Sequence, residues 1–236
     1  MLNAWVLRSQ KVIFCGLVSF AIEQAQAGYI AVDTGHTPLH PGATGASGRV
    51  EYLYNLDMSR ALAKDLVISG DRVSRTSANG NEITLQERST QAPDADLFIS
   101  IHHDSMLQEW IDAGRRKEFS GYSIFVSKKN TNYEYSLNCA KKIGEQMIAI
   151  GEKPSLYHAI PIQGENRPLL DKHLGIHQYD DLIVLKTAPI PAVLVEIGVI
   201  ANPDEEARLS KPDTIQRVSH AITAGIHACL MTKTLK

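Results

Sequence analysis

Cysteine is scarce in this 236-residue sequence, which contains only Cys15, Cys139 and Cys229. Neither Cys139 nor Cys229 belongs to a Cys-x-x-Cys pair or has a spacing typical of metal binding, so we assign them no chemistry. Each falls on a predicted helix, and the two could pair in an oxidising compartment. We expect two buried free thiols, the form in which cysteine packs as a small apolar side chain.

The sequence also lacks any cluster of charge of one sign. Its 24 basic and 26 acidic side chains give a formal net charge of −2, with no basic stripe or block. This balance excludes the electrostatic footprint of a nucleic-acid partner or an anionic membrane surface. We find no internal repeat, low-complexity tract or linker, and 44% hydrophobic residues suffice for one sizeable core. We therefore expect a single domain that acts as a monomer.

The apolar run at residues 12–22 is too short to span a membrane comfortably, so we expect no stable membrane insertion. Arg8 and Lys11 precede this run, and residues 25–27 read Ala-Gln-Ala, the form of a cleavage site. This three-part layout is that of a secretory signal peptide. We expect residues 1–27 to be a signal peptide and residues 28–236 to be the mature exported domain, periplasmic or extracellular.

A lipid anchor at Cys15 is the competing interpretation of the same segment. Phe14 is bulky where such a site needs a small residue, which favours cleavage after Ala27. Either route carries the chain to an extracytoplasmic target.

Short apolar runs alternate with amphipathic segments, the pattern of an α/β domain. Strands are predicted at residues 29–33, 97–102, 121–126, 182–186 and 192–197, with a weaker one near 71–74. Helices are predicted at residues 51–69, 84–92, 133–150 and 213–231, with another beginning at Pro203. Two long irregular stretches, 104–120 and 151–181, are of a length that is often functional or mobile.

Polar side chains appear where three of these strands end. His36 follows the first strand, His102 and His103 end the second, and Glu196 follows the last apolar run. Ligands of open α/β sheets bind at the carboxyl ends of the strands. We therefore expect His36, one of the paired histidines and Glu196 to converge, with Glu51 entering from the first helix.

Two imidazoles and a carboxylate are a typical set of catalytic zinc ligands, leaving the fourth position for a water whose pKa falls to about 7. Four glycines allow the tight turns that carry Glu51 back towards the first histidine: Gly35, Gly42, Gly45 and Gly48. Taken singly, a strand-end histidine is usually hydrogen-bonded, and a glutamate that opens a helix usually serves the helix dipole. Their coincidence at three strand ends favours a metal site.

The order of these motifs resembles the zinc-dependent N-acetylmuramoyl-L-alanine amidases of the amidase-3 type. The resemblance spans nearly the whole mature chain, and its motifs occur in the family's order. They are Asp33-x-Gly35-His36, Glu51 with Asn55, Ser74-Arg75-Thr76, Gln86-Glu87-Arg88, Phe98-Ile99-Ser100-Ile101-His102-x-Asp104 and Pro191-Ala192-Val193-Leu194-Val195-Glu196-Ile197-Gly198-x-Ile200-x-Asn202.

The resemblance implies a mixed, twisted α/β sheet with helices on both faces. It implies Zn²⁺ as the cofactor, His36, Glu51 and His102 as its ligands, and Glu196 as the catalytic residue. It implies hydrolysis of the amide that joins N-acetylmuramic acid to L-alanine, in peptidoglycan or muropeptides. Asp104 is a possible partner for a ligand histidine.

The sequence departs from the family pattern in three places. His103 stands where a small residue is common, and we assign the ligand to His102 because adjacent strand residues point to opposite faces. Residues 127–132 leave no room for the autoinhibitory helix of activator-dependent relatives. The connection 151–181 could line the cleft, and its histidines, His158, His173 and His177, are expected to make surface hydrogen bonds.

Two alternatives use the same residues differently. A secreted zinc peptidase or carboxypeptidase acting on peptide stems would need a pocket for a carboxylate, for which Arg167 could serve. A catalytically silent peptidoglycan-binding protein is the other alternative. Retention of Glu196 beside all three ligands argues against it.

Overall fold

The computed structural model describes residues 27–233 of the chain. The predicted signal peptide and Cys15 therefore lie outside the described residues, apart from Ala27. Among the helices in the described part, none is both long and apolar enough to cross a lipid bilayer.

Seven strands of the described chain form one mixed sheet in the order β2-β1-β3-β7-β4-β6-β5. β7 runs antiparallel to β4, β5 runs antiparallel to β6, and the other neighbours are parallel. The expected mixed sheet is thus confirmed. The strands are β1 (Tyr29–Thr34), β2 (Arg72–Thr76), β3 (Leu97–Asp104), β4 (Ser123–Val126), β5 (Leu169–Asp171), β6 (Ile176–Gln178) and β7 (Ala192–Val199).

The three long helices lie close to their predicted positions because each repeats apolar residues at helical spacing. The predicted capping box is also present, since the Thr84 hydroxyl accepts from the Glu87 amide and the Glu87 carboxylate accepts from the Thr84 amide. The α-helices in the described residues are α1 (Glu51–Ile68), α2 (Leu85–Arg88), α3 (Gln108–Asp112), α4 (Tyr133–Ala149), α5 (Ile183–Lys186), α6 (Pro203–Leu209) and α7 (Pro212–Lys233).

The sheet is covered on both faces because its strands are apolar on both sides. In β3, Ile99 and Ile101 contribute to the large core with α1, α4 and α7, whereas Phe98 belongs to a smaller core with α5. Burying one such side chain stabilises the fold by about 1.5–3 kcal/mol. The alternation continues to the end of β3, so His102 and His103 must leave the sheet on opposite faces.

Helices α4 and α7 pack closely and are covalently joined. A Cβ added to Gly225 would lie 2.6 Å from Ile143 Cα, so glycine permits this approach of the two backbones. One turn before Ile143 in α4 and one turn after Gly225 in α7, Cys139 and Cys229 form a disulfide, with their Cα atoms 4.9 Å apart. The expectation of two free thiols is therefore wrong, because the helix crossing brings the two cysteines within bonding reach.

Four secondary-structure predictions were wrong. Residues 104–120, predicted as irregular, contain α3, and the helix predicted at 84–92 ends at Arg88. Residues 182–186, predicted as a strand, contain the helical turn α5, which buries Val184 and Leu185 against the sheet. A short apolar run has the same pattern in a buried strand and in a buried helical turn. The connection 151–181 contains β5 and β6, each only three residues long and therefore too short to show a period.

Candidate metal centre

The structure brings His36, Glu51 and His102 together at the carboxyl end of the sheet. One nitrogen of each imidazole and one carboxylate oxygen lie within 4.8 Å of one another. His36 Nε2 is 3.0 Å from Glu51 Oε2, and His102 Nδ1 is 3.1 Å from Glu51 Oε1. The carboxylate thus sits between the two rings, whose centroids are 4.9 Å apart. This group of donor atoms could hold a metal ion.

Glu51 is the first residue of α1, and the glycine-rich loop fixes that helix start. The amides of Glu51 and Tyr52 donate to the carbonyls of Ala43 and Pro41, at 2.8 and 3.0 Å. These bonds satisfy two of the four amides that every helix leaves unpaired at its amino end. The Ala43 amide in turn donates to Glu51 Oε2 at 3.0 Å. The loop therefore sets both the helix position and the carboxylate position.

Two glycines leave space for the centre. A Cβ added to Gly42 would lie 2.3 Å from Glu51 Oε2, and one added to Gly35 would lie 2.4 Å from His102 Nε2. Gly42 also has φ +76°, which side chains rarely adopt. These two glycines therefore also prevent clashes with the candidate ligands, a role distinct from the tight turns that the sequence predicted.

His36 is held in a left-handed backbone conformation, with φ 67°. The buried guanidinium of Arg88 accounts for it, since Nη2 donates to the His36 carbonyl at 2.7 Å. Its Nη1 donates to Thr34 O and to Asp33 Oδ1, both at 2.9 Å. An uncommon conformation at a non-glycine residue persists where its surroundings fix it. Arg88 thereby positions His36. The sequence analysis quoted Arg88 as part of a motif but assigned it no role.

Asn55, one turn after Glu51, links the centre to the opposite face of β3. Its Nδ2 donates to Glu51 Oε1 and to the Gly35 carbonyl, both at 3.1 Å. Its Oδ1 accepts from His103 Nδ1 at 2.8 Å. Burial lowers the pKa of His103 to about 3, so this imidazole is neutral and donates to the amide oxygen. His103 therefore lies outside the cluster and supports it through Asn55.

The charge of the carboxylate is stabilised by its two histidines. Burial raises the pKa of Glu51, but the hydrogen bonds from His102 and His36 outweigh burial and hold it well below its usual range. Glu51 is therefore ionised at neutral pH. An ionised carboxylate between two imidazoles is a suitable set of donors for a borderline-soft divalent cation.

Glu196 lies in β7, directly beside His102 in the sheet register. Its Oε2 is buried and makes no hydrogen bond to the described residues. Burial raises the pKa of Glu196 well above its usual range, and the charges of Asp104 and Glu51 raise it further against the opposing effect of His158. A carboxyl in this environment is a stronger base than an exposed glutamate.

His158, on the 151–181 connection, lies between two carboxylates. Its Nε2 is 2.7 Å from Asp104 Oδ2, and its Nδ1 is 2.8 Å from Glu165 Oε2. Burial opposes its charge, but Asp104 and then Glu165 outweigh burial and raise the pKa of His158 to about 10. The imidazolium therefore anchors the connection to the end of β3. Asp104 binds this histidine rather than His36 or His102, which corrects its expected role.

The three histidines of this connection were expected at the surface, and of these only His173 is exposed. His177 is fully buried, packs against Phe125, and has a pKa that burial lowers to about 4. His158 is largely buried as well. The position of His177 depends on β6 pairing with β4, which no local sequence signal indicates.

A cavity of about 720 Å³ opens beside the cluster. Its polar rim includes His40 and Glu82, which pair at 3.0 Å, and its far wall is apolar. Arg167 lies outside this cavity; it stacks on Tyr179 and donates to the Gly164 carbonyl. The cavity is lined by His36, Thr37, His40, Glu82, Ile83, Thr84, Leu85, Glu87, Arg88, His102, Leu182, Ile183, Val184 and Leu194.

The fold and the cluster define a single α/β domain with a candidate His–Glu–His metal site at the carboxyl end of its sheet. The profile of the Amidase_3 family, described as N-acetylmuramoyl-L-alanine amidase, matches residues 30–228. The chain belongs to this family.

Individual relatives agree with this assignment. The Staphylococcus saprophyticus protein named Probable cell wall amidase LytH is 27% identical over 84% of this chain, which spans 57% of that protein. The N-acetylmuramoyl-L-alanine amidase AmiA of Salmonella typhimurium is 27% identical over 84% of this chain and 74% of its own length. The crystal structure of the N-acetylmuramyl-L-alanine amidase Ami1 from Mycobacterium smegmatis has the same fold, with a TM-score of 0.71, 22% identity, and coverage of 87% of this chain and 97% of that one.

Proposed function

We propose that this protein is an exported, zinc-dependent N-acetylmuramoyl-L-alanine amidase. It hydrolyses the amide between N-acetylmuramic acid and the L-alanine of the peptide stem, in peptidoglycan or in muropeptides. The observation that carries the proposal is the convergence of His36, Glu51 and His102 beside the enclosed carboxyl of Glu196. Membership of the family supports the choice of bond.

The donor set fits zinc. Zinc binds imidazole nitrogen and carboxylate oxygen at about 2.0–2.2 Å, so neighbouring donors of a tetrahedral site lie about 3.3–3.6 Å apart. The separations of 3.0 and 3.1 Å end on different oxygens of Glu51, and one donor atom from each of the three residues lies within 4.8 Å of the others, so the group is compact enough for one ion. The cluster also offers three protein donors, the number that leaves a coordination position open for catalysis. When bound, zinc supplies a Lewis acid and lowers the pKa of a coordinated water to about 7.

Glu196 acts as the general base in this proposal. Its carboxylate accepts the proton of the attacking water and passes it to the leaving amine of L-alanine. Burial and the charges of Asp104 and Glu51 raise the pKa of Glu196, so its carboxylate is a stronger proton acceptor than an exposed glutamate. The apolar wall of the cavity excludes water from one side of the cluster and leaves room for part of the substrate.

Regulation by an internal helix is not part of this proposal. β4 ends at Val126 and α4 begins at Tyr133, and the six residues between them are too few for an inhibitory helix. We therefore propose activity without an added activator. Export of residues 28–236 to the periplasm or the exterior, after removal of residues 1–27, completes the proposal.

Zinc content tests the ligand assignment. His36→Ala, Glu51→Ala and His102→Ala should each reduce zinc from about one ion per chain, because a three-ligand site loses a third of its donors. His103→Ala is the matched control, since His103 contacts Asn55 and is not one of the three donors, so its loss should leave zinc bound. The metal is measured by elemental mass spectrometry on folded protein. Zinc loss in the His103 variant with retention in the His102 variant would reverse the assignment.

A further inference from the structure

Asp71 is a buried carboxylate remote in sequence from the candidate metal ligands, and only 1% of its side chain is exposed. Its Oδ1 accepts from the Gly28 backbone nitrogen at 2.8 Å. Its Oδ2 lies 2.7 Å from His227 Nε2. Among the described residues no lysine or arginine pairs with it, and the adjacent Arg72 pairs with Asp94 instead. A buried carboxylate is destabilising unless it is hydrogen-bonded or paired with a cation.

The Gly28 nitrogen is held against Asp71 by close packing. Gly28 is buried, whereas Ala27 before it is exposed. A Cβ added to Gly28 would lie 2.4 Å from Leu230 Cδ1, so a larger residue would require the end of this α7 side chain to move. The Gly28 carbonyl accepts from the Arg72 amide at 2.9 Å. The nitrogen is therefore fixed by contacts on both sides of the residue, at the first position of the proposed mature chain.

We propose that removal of the signal peptide creates an α-ammonium group at Gly28 that forms a buried ion pair with Asp71. Hydrolysis of the Ala27–Gly28 bond adds hydroxyl to the Ala27 carbonyl carbon and hydrogen to the Gly28 nitrogen. That nitrogen changes from an amide with one hydrogen to an amine that takes up a further proton near neutral pH, since an α-amino group has a pKa of about 7.7–8.0. This inference rests on the cleavage site of the proposed function, and it is independent of zinc and of catalysis.

The ion pair would act on the start of β1. A hydrogen bond between two charged groups is roughly twice as strong as one between neutral groups. The pair would join the new amino terminus to the residue before β2 and, through His227, to α7. Processing would therefore stabilise the strand whose other end leads to His36.

The test compares chain 28–236 with a free amino group and the same chain acetylated at Gly28. Acetylation preserves the amide hydrogen that donates to Asp71 and removes only the charge. We expect acetylation to raise the unfolding equilibrium constant about tenfold at neutral pH, measured by urea denaturation. Chain 27–236, which moves the ammonium to exposed Ala27, should resemble the acetylated protein. Equal stability of the free and acetylated chains would overturn the proposal.

Two variants identify the partner. In Asp71→Asn the effect of acetylation should fall below about twofold, because the anion is gone. Asp94→Asn is the matched control; its carboxylate is nearby but 68% exposed and paired with Arg72, so the tenfold effect should persist. An undiminished acetylation effect in Asp71→Asn would contradict the assignment.

Sequencing the amino terminus of protein recovered from a bacterial periplasm tests the cleavage site separately from the ion pair. A chain beginning at Gly28 agrees with it, whereas any other first residue rejects both the cleavage site and the ion pair. A chain that begins at Gly28 but is insensitive to acetylation would reject the ion pair alone.

Discussion

Glu196 lies beside His102 but is not one of the three candidate metal ligands, so its role as a base can be tested apart from metal binding. Replacing it by glutamine keeps its shape but removes its ability to accept a proton. A general base contributes about 10²- to 10⁴-fold in rate, so we expect Glu196→Gln to lose turnover on that scale. Zinc should stay bound, because Glu196 lies outside the donor cluster. Metal analysis and amide hydrolysis on one preparation provide the measurement; near wild-type turnover, or zinc-free protein, would remove Glu196 from this role.

His158 makes the stability of the 151–181 connection depend on pH. Asp104 and Glu165 outweigh the effect of burial and raise its pKa from 6.5 to about 10 in the folded protein. Its contribution is therefore complete below pH 6.5 and is lost as pH rises through about 10. We expect the difference in unfolding free energy between wild type and His158→Gln to shrink across this range.

Urea denaturation at several pH values measures that difference. His173→Gln is the control, because His173 is an exposed histidine of the same connection and should show no such trend. A difference that stays constant up to pH 10 would show that His158 does not depend on its charge.

The residues of the candidate site could be predicted from the sequence, but the contacts that hold them in place could be predicted only in part. The convergence of His36, Glu51 and one of the paired histidines could be predicted because each stands at the end of an element with a clear pattern, whereas the choice of His102 came from the family resemblance. The supporting contacts of Arg88 and His158 could not, because they depend on pairing between segments more than 50 residues apart. A buried arginine in a short polar helix gives no local signal of its partners.

At the scale of elements, the link between α4 and α7 is the feature with the largest expected effect on stability. The disulfide closes a loop with a sequence separation of 90 residues, and bonds of this kind typically stabilise a fold by about 2–4 kcal/mol. Reduction should therefore lower the free energy of unfolding by about that amount. Denaturation with and without reductant measures the change in the mature chain.

The double variant Cys139→Ser, Cys229→Ser is the control for this experiment. It should unfold at lower denaturant than the oxidised protein and should not respond to reductant. If reductant leaves the unfolding midpoint of the wild type unchanged, the disulfide contributes no stability. An oxidised bond in protein from a bacterial culture would also agree with export.

The length of an element decided whether it could be predicted. α1, α4 and α7 extend over several turns, and their apolar spacing located them within one or two residues. The four-residue turn α5 and the three-residue strands β5 and β6 carry too few apolar positions to show a period. Their conformation is set by packing on the sheet and by pairing with β4, which are properties of the whole fold.

At the scale of the whole molecule, the parallel order of β1, β3 and β7 explains how distant residues form one centre. Parallel strands place their carboxyl ends at the same edge, so His36, His102 and Glu196 meet there, and α1 adds Glu51. One face of the same sheet is covered by helices that include α4 and α7, which carry the disulfide. The proposed chemistry thus depends on one sheet with the glycine-rich loop of residues 35–50 at the site.

The products of peptidoglycan digestion test the central claim most directly. Mature protein 28–236, with no partner added, is incubated with purified sacculi and with soluble muropeptides, and the products are identified by mass spectrometry. The account predicts peptides with a free amino-terminal L-alanine and glycan with intact N-acetylmuramic acid. It also predicts that a chelator abolishes the reaction and that added zinc restores it. Cleavage inside the peptide stem, with the muramyl amide intact, would contradict the account.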